Sequence, residues 1–222
     1  MYLRLIIVSL LFAQTAWSQQ PGKPPQEFKL VVNESFGSDK LPKTIEPTAK
    51  GQWLISKDGN PGKALKYIGE TETSGHDIKP VVLAFVNESL FNHFVLEADV
   101  EQCGRDYQCR DFCIVFDYVD ENNYRFVHLA SVTGELCHGV FEIKNGQLTL
   151  LTPEAEDPVI WGVKEWFGLR LERLPETNSL RFFMNQQLLW EISNLEGSGR
   201  IGFGGPDGAA KIDNLKIWAP MQ

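Results

Sequence analysis

The sequence has no Lys/Arg run, no apolar stretch long enough to cross a bilayer, no sustained 3.6-residue apolar period and no CxxC pair. Each absence removes a class of protein. With 29 acidic against 21 basic side chains and a formal net charge of -8, the chain carries the wrong field for a phosphate-backbone partner, which excludes nucleic acid. LIIVSLLFA, near the start, is too short for a membrane span, so no stable membrane insertion is expected. Without helical periodicity, no helix longer than a turn or two is expected, which excludes bundles and α/β architectures. No HExxH, GxSxG or phosphate-binding glycine loop is present. The glycine-dense GRIGFGGPDG precedes a strand rather than a helix and reads as a bend.

What is present begins with a leader. MYLR is a short basic start, LIIVSLLFA an apolar core, and Ala16 with Ser18 supplies small residues for a signal peptidase, so residues 1–18 read as a signal peptide and the mature protein as secreted. No cysteine follows the apolar run, which argues against a lipidated leader. Residues 19–27 are a Pro- and Gln-rich spacer, and residues 28–222 are expected to form a single domain with a substantial core. The four cysteines, Cys103, Cys109, Cys113 and Cys137, cluster near the middle of the chain. In an exported protein they are expected to form two disulfides, in any of three connectivities.

The rest is a succession of short strands and turns. FKLVVNESF, QWLISKDG, ALKYIG, PVVLAFV and HFVLEADVEQ come first; the last alternates Phe94, Leu96, Ala98 and Val100 with Val95, Glu97, Asp99 and Glu101. A meander follows. Its first strand alternates Phe112, Ile114, Phe116 and Tyr118 with Cys113, Val115 and Asp117, and a turn at Asp120–Asn123 returns the chain into Tyr124–Ala130. Pairing Val119 with Tyr124 sets Ile114 opposite Leu129 and Phe116 opposite Val127, leaving Asp117, Tyr124, Phe126 and His128 on the other face. A third strand, His138 to Lys144, is expected to place Phe141 and Ile143 in the core and His138, Val140 and Glu142 on the mixed face. Asn145-Gly146 suits a type I′ turn, pairing Ile143 with Leu148 and Phe141 with Leu150. More than a dozen such strands with half-polar faces predict an all-β fold, a two-sheet antiparallel β-sandwich.

Taken in order, FVLEADV, IVFDYVDENNYRFVHL, KNGQLTLL, WFGLRLER with LRFFMNQQLLWE, and GRIGF with IDNLKIW resemble the concanavalin A-like lectin/glucanase jelly roll and its laminin-G-like members. The closing pieces also look like secreted domains grouped with 3-keto-disaccharide hydrolases. The resemblance implies carbohydrate, an oligo- or polysaccharide, as the partner and the concave sheet as the binding face. It requires no cofactor, although Glu34 and Asp213 are candidates for a structural calcium.

If the strand ending at Val100 lies beside the strand from Asp111, then Glu97, Asp117, His128 and His138 edge one saccharide-sized groove, since neighbouring strands are ~4.8 Å apart and alternate residues ~6.8 Å apart. Tyr124 would then be a platform for a sugar face, with Glu142 and Arg110 at the margins. Glu97, Asp99 and Glu101 also resemble the E-x-D-x-E catalytic strand of the family's retaining β-glucanases. In that reading Glu97 is the nucleophile, Glu101 the acid/base, and Asp99 tunes both. A polysaccharide lyase would instead use His128 with Tyr124 as base and Arg110 or His138 as donor. The expectation is a secreted glycan-binding domain; the alternatives are a glycoside hydrolase or lyase using the same face, and a structural or adhesive module that binds protein.

Overall fold

The computed structural model describes residues 20–48, 52–68, 79–80, 82–87, 90–103, 111–131, 138–153, 164–206 and 209–221. Fifteen strands account for most of them: β1 (Phe28–Glu34), β2 (Ile45–Pro47), β3 (Trp53–Gly59), β4 (Gly62–Tyr67), β5 (Val82–Val86), β6 (Phe94–Gln102), β7 (Asp111–Asp120) and β8 (Asn123–Ala130), followed by β9 (Gly139–Lys144), β10 (Gln147–Leu150), β11 (Trp166–Arg173), β12 (Leu180–Met184), β13 (Gln187–Ile192), β14 (Arg200–Gly205) and β15 (Ala210–Pro220). Among the described residues there is no helix.

The strands form two antiparallel sheets, as the alternation predicts. One runs β13-β12-β11-β6-β15-β4-β3, with β1 also paired to β15; the other runs β10-β9-β8-β7-β14-β5-β2. Between them lies one apolar core. Phe94, Leu96, Ala98 and Val100 enter it from β6, Phe112, Ile114 and Phe116 from β7, and Leu169 and Leu171 from β11. The β6 alternation therefore places Glu97, Asp99 and Glu101 together on the outer face of the eight-stranded sheet.

The meander is built as expected near its turns and differently between them. Leu148 pairs with Ile143 and Leu150 with Phe141, across a turn whose Asn145 and Gly146 have φ of 52° and 77°. This is the positive-φ pair that a type I′ turn requires. Asp120 pairs with Asn123, but the register then shifts before Phe116, so Ile114 meets Val127 and Phe116 meets Arg125. The slip from the expected pairing is even, so the core face survives it. Asp117, inside the irregularity, has φ 51° and leaves the regular pleat.

Two expectations about faces are corrected. In β9 it is Val140 that enters the core, whereas Phe141 and Ile143 lie on the outer side with Tyr124 and Phe126. That outer side is not an open mixed surface. Leu83, Phe85, Cys113, Val115, Tyr124, Phe126, Phe141 and Ile143 make a second buried apolar cluster, with the Phe126 and Phe141 rings stacked 5.3 Å apart. Apolar residues occupy both faces of this sheet, so alternation could not say which face was which.

The cysteine framework is also corrected in part. Cys103 and Cys113 are free thiols, so neither joins the expected disulfides. Cys103 follows the end of β6, whereas Cys113 lies on β7 of the other sheet and is enclosed in the second cluster, where burial first and then Asp111 push its thiol well above the usual range. Cys109 and Cys137 lie outside the described residues.

Candidate functional site

The outer face of the eight-stranded sheet carries the densest polar arrangement, organised around β6. Across the ladder, Glu97 stands between Arg170 and Lys216, Asp99 between Gly168 and Asp213, and Glu101 between Trp166 and Lys211. Arg170 Nη1 donates to Glu97 Oε1 at 2.6 Å, while its Nε donates to Glu172 Oε2 at 2.7 Å. Glu172, fully buried, also accepts from Arg181. Asp99 Oδ2 accepts from Asn214 Nδ2 at 2.8 Å and from Asn60 Nδ2 at 3.3 Å.

Glu101 is only 4% exposed and accepts from Lys211 Nζ at 2.7 Å; the same ammonium donates to Asp58 at 2.7 Å. The Lys211 and then the Ser56 hydrogen bonds hold the Asp58 carboxyl down to about 2. Burial alone would lower Lys211, but Asp58 and Glu101 together raise it. Burial raises Asp213, against the amide donations from Asn60 and Asn214 and with help from Asp99.

Beside these pairs the sheet opens into a cavity of about 810 Å³. Glu97, Asp99, Arg170, Asn185, Asn214 and Lys216 reach it, and the segment Pro21–Pro24 forms another wall. Gly168 lies between Asp99 and Asn185, and even an added Cβ would stay 3.8 Å from the nearest of their atoms, which leaves the floor open. Asn185 and Gln186, with φ of 49° and 68°, turn β12 into β13. Asn185 is fixed to the floor, because Gly168 N donates to its Oδ1 at 2.9 Å and its own N donates to Gly168 O at 2.7 Å.

Chemically, the cavity offers fixed carboxylate acceptors and ammonium and amide donors at close quarters. It does not offer a pair of working carboxylates. The expected acid/base, Glu101, is buried against Lys211 and does not line the cavity, and Glu97 is held by Arg170. A retaining pair needs both carboxyl groups about 5.5 Å apart at the sugar.

The groove expected from the meander is not assembled. β6 and β7 lie in different sheets, β6 between β11 and β15 and β7 between β8 and β14, so Glu97 is separated from Asp117, His128 and His138. His128 is 2% exposed on the outer side of its sheet, edge-on to Phe126 and Phe141, with Nε2 3.3 Å from Asp111. His138 contacts Trp190, a ring packed against the main core, at 4.6 Å between centroids, and its Nδ1 accepts from Ala130 N at 3.3 Å. Burial, then the neighbouring His128, depresses the His138 imidazole to about 4.

Asp117, Tyr124 and Glu142 do come together, lining a smaller cavity of about 220 Å³, where Arg125 donates to Asp117 and to Glu142 at 2.9 Å each. Tyr124 reaches that cavity as a largely buried ring, packed between Tyr118 and Phe126 rather than standing out as an open platform. Arg110 lies outside the described residues. Glu34 accepts from Thr44, and Asp213 from the Asn60 and Asn214 amides. Among the described residues no group of three or more His, Cys, Asp or Glu would hold a metal ion.

Reading the sequence missed Arg170, Asn185, Asn214 and Lys216. The alternation Trp166, Gly168, Arg170, Glu172 opposite Phe167, Leu169, Leu171 does signal their face. What it does not signal is that β11 and β15 flank β6.

No protein-family model matches the chain, and no curated protein matches it. Solved structures do. The carbohydrate-binding module CBM66 from Bacillus subtilis superposes with a TM-score of 0.56 at 14% identity, over 78% of this chain and 94% of that one. The carbohydrate recognition domain of Emp47p gives 0.55 at 11%, over 89% and 97%. A Bacillus subtilis protein of unknown function with a galectin-like fold gives 0.56 at 12%, over 87% and all of that chain. At such identities the likeness is one of fold: with its two antiparallel sheets, this chain shares the all-β jelly-roll sandwich of these structures.

Proposed function

We propose that the protein is an exported, non-catalytic domain that binds a glycan in the cavity on the outer face of its eight-stranded sheet. One observation carries this reading: Glu97, Asp99, Asn185, Asn214 and Lys216 converge on an open floor at Gly168, all from rigid strands or a tight turn. A sugar hydroxyl both donates and accepts, so neighbouring carboxylates and ammonium or amide groups suit vicinal hydroxyls. The volume lies within the roughly 300–1,000 Å³ usual for small-ligand sites. Among the described residues no aromatic ring lines the cavity, so the recognition proposed runs through hydroxyl edges rather than through stacking on a sugar face. Two structural neighbours are a carbohydrate-binding module and a carbohydrate recognition domain, which supports carbohydrate as the ligand class. The basic, apolar and small-residue order of the first 18 residues supports export, and a mature N-terminus at Gln19 would be read by N-terminal sequencing.

The test is calorimetric titration of the protein with hexasaccharide fragments of a glucan, a galactan, a xylan and a mannan. At least one should bind without release of new reducing ends. Glu97→Gln should weaken that binding about tenfold, the loss of one charge-assisted hydrogen bond. Equal binding by wild type and variant, or product release, would remove this reading.

A further inference from the structure

The wall formed by Pro21–Pro24 differs from the rest of the lining. Among the described residues, no hydrogen bond or ion pair joins residues 20–24 to the sheet they cover. The segment is tethered at one end, where Phe28 N donates to Pro25 O at 3.0 Å and the Phe28 side chain is buried at 5% exposure. Along its length it is loosely packed, since a Cβ built on Gly22 would meet nothing within 4 Å. Prolines at 21, 24 and 25 keep such a segment extended without internal hydrogen bonds, so ordering it costs little conformational entropy.

The cations of the cavity divide in the same way. Arg170 is committed to Glu97 and Glu172. Lys216, on β15 opposite Glu97, and Lys23, on the segment itself, have no ion pair among the described residues, yet both line the cavity. Each ammonium therefore has donors left for something that enters.

We propose that Pro21–Pro24 is a strap that closes over a bound glycan, with Lys23 above and Lys216 below donating to the oxygens of the same sugar. This rests on the glycan reading given above. The strap is a wall that lacks polar bonds of its own, and the ligand supplies them. Sheet residues set the orientation of the sugar, and Lys23 sets how long it stays.

The test uses the full chain and the same four hexasaccharides. In the free protein, backbone amides of residues 22 and 23 should exchange with solvent almost without protection, and a bound hexasaccharide should protect them. By surface plasmon resonance Lys23→Ala should dissociate about tenfold faster than wild type, as the loss of one charge-assisted contact implies, and the double variant Pro21→Gly/Pro24→Gly should also dissociate faster, because a looser segment loses more entropy on closing. The association rates should change little. Unchanged dissociation, tighter binding on loosening the prolines, or amides at 22 and 23 that stay unprotected by a bound hexasaccharide would overturn the strap while leaving the glycan reading in place. Failure of the wild-type chain to bind any of the four overturns both.

Discussion

Replacing Asp117 with Asn should destabilise the protein by about 3 kcal/mol. Asp117 leaves the pleat of β7 and reaches Arg173, on β11 of the opposite sheet, which donates to Asp117 Oδ2 from Nη1 at 2.8 Å and to Oδ1 from Nη2 at 2.7 Å. Both are buried, Arg173 fully and Asp117 at 7% exposure. Arg173 also donates to Asn92 O, to Gly197 O at 2.8 Å, and lies 5.6 Å over the Phe94 ring. Removing one partner of a buried pair typically costs ~3–5 kcal/mol, because the other charge is stranded. Here the carbonyls and the ring still face the guanidinium, and an Asn oxygen still accepts one bond, which puts the loss at the lower end.

For a chain of this size that corresponds to a fall in Tm of roughly 6–12 °C. Urea unfolding followed by circular dichroism should show a lower midpoint with an unchanged m-value. A double variant, Asp117→Leu with Arg173→Met, should recover part of the loss, since it leaves no buried guanidinium unpaired and Arg125 keeps Glu142 as its partner. A loss below about 1 kcal/mol for Asp117→Asn, the value of an exposed ion pair, would refute the reasoning.

Two further outcomes follow from the titrating groups. The His138 imidazole, near 4 in the folded protein against 6.5 unfolded, binds fewer protons folded than unfolded between those values, so stability is highest above pH 6.5 and falls as pH drops toward 4. The full effect is about 3 kcal/mol, and in urea midpoints measured across that window His138→Asn, whose Oδ1 can still accept from Ala130 N, should fall less steeply than wild type. An equal slope in both proteins would contradict the assignment to His138. Separately, Lys211→Gln should return the Asp58 carboxyl from about 2 toward 3.8, read by carbon-detected NMR titration, because the Lys211 hydrogen bond is the largest influence on it. An unmoved Asp58 would mean that Ser56 holds it instead.

Local pairing was legible in the sequence wherever a turn and a clean alternation acted together. The β9–β10 register could be read from Asn145-Gly146, and the division of β6 into Phe94, Leu96, Ala98, Val100 and Glu97, Asp99, Glu101 from period two alone. Tertiary neighbours were not legible. β6 and β7 follow one another in the chain, but the connection passes between sheets, and nothing in residues 103–110 says so. The bulge at Asp117 was hidden for a different reason. The irregularity goes with a contact to an arginine 56 residues downstream, which local alternation cannot announce. For the site, the carboxylates could be named in advance, while Arg170, Lys216 and the Pro21–Pro24 wall come from strands and a segment whose placement depends on the finished sheet.

That dependence has a consequence for how the molecule comes into being. β15, the last strand in sequence, lies at the centre of the eight-stranded sheet, with β6 on one side and β4 and β1 on the other. During synthesis β1, β4 and β6 are all made long before the strand that joins them. Until it arrives they have unsatisfied edges and an exposed apolar face, and the closure of such long loops is slow. The cavity shares this timing, since Lys216 and Asn214 belong to β15. The cavity should therefore take shape only in the final cooperative step of folding, once β15 has joined the sheet.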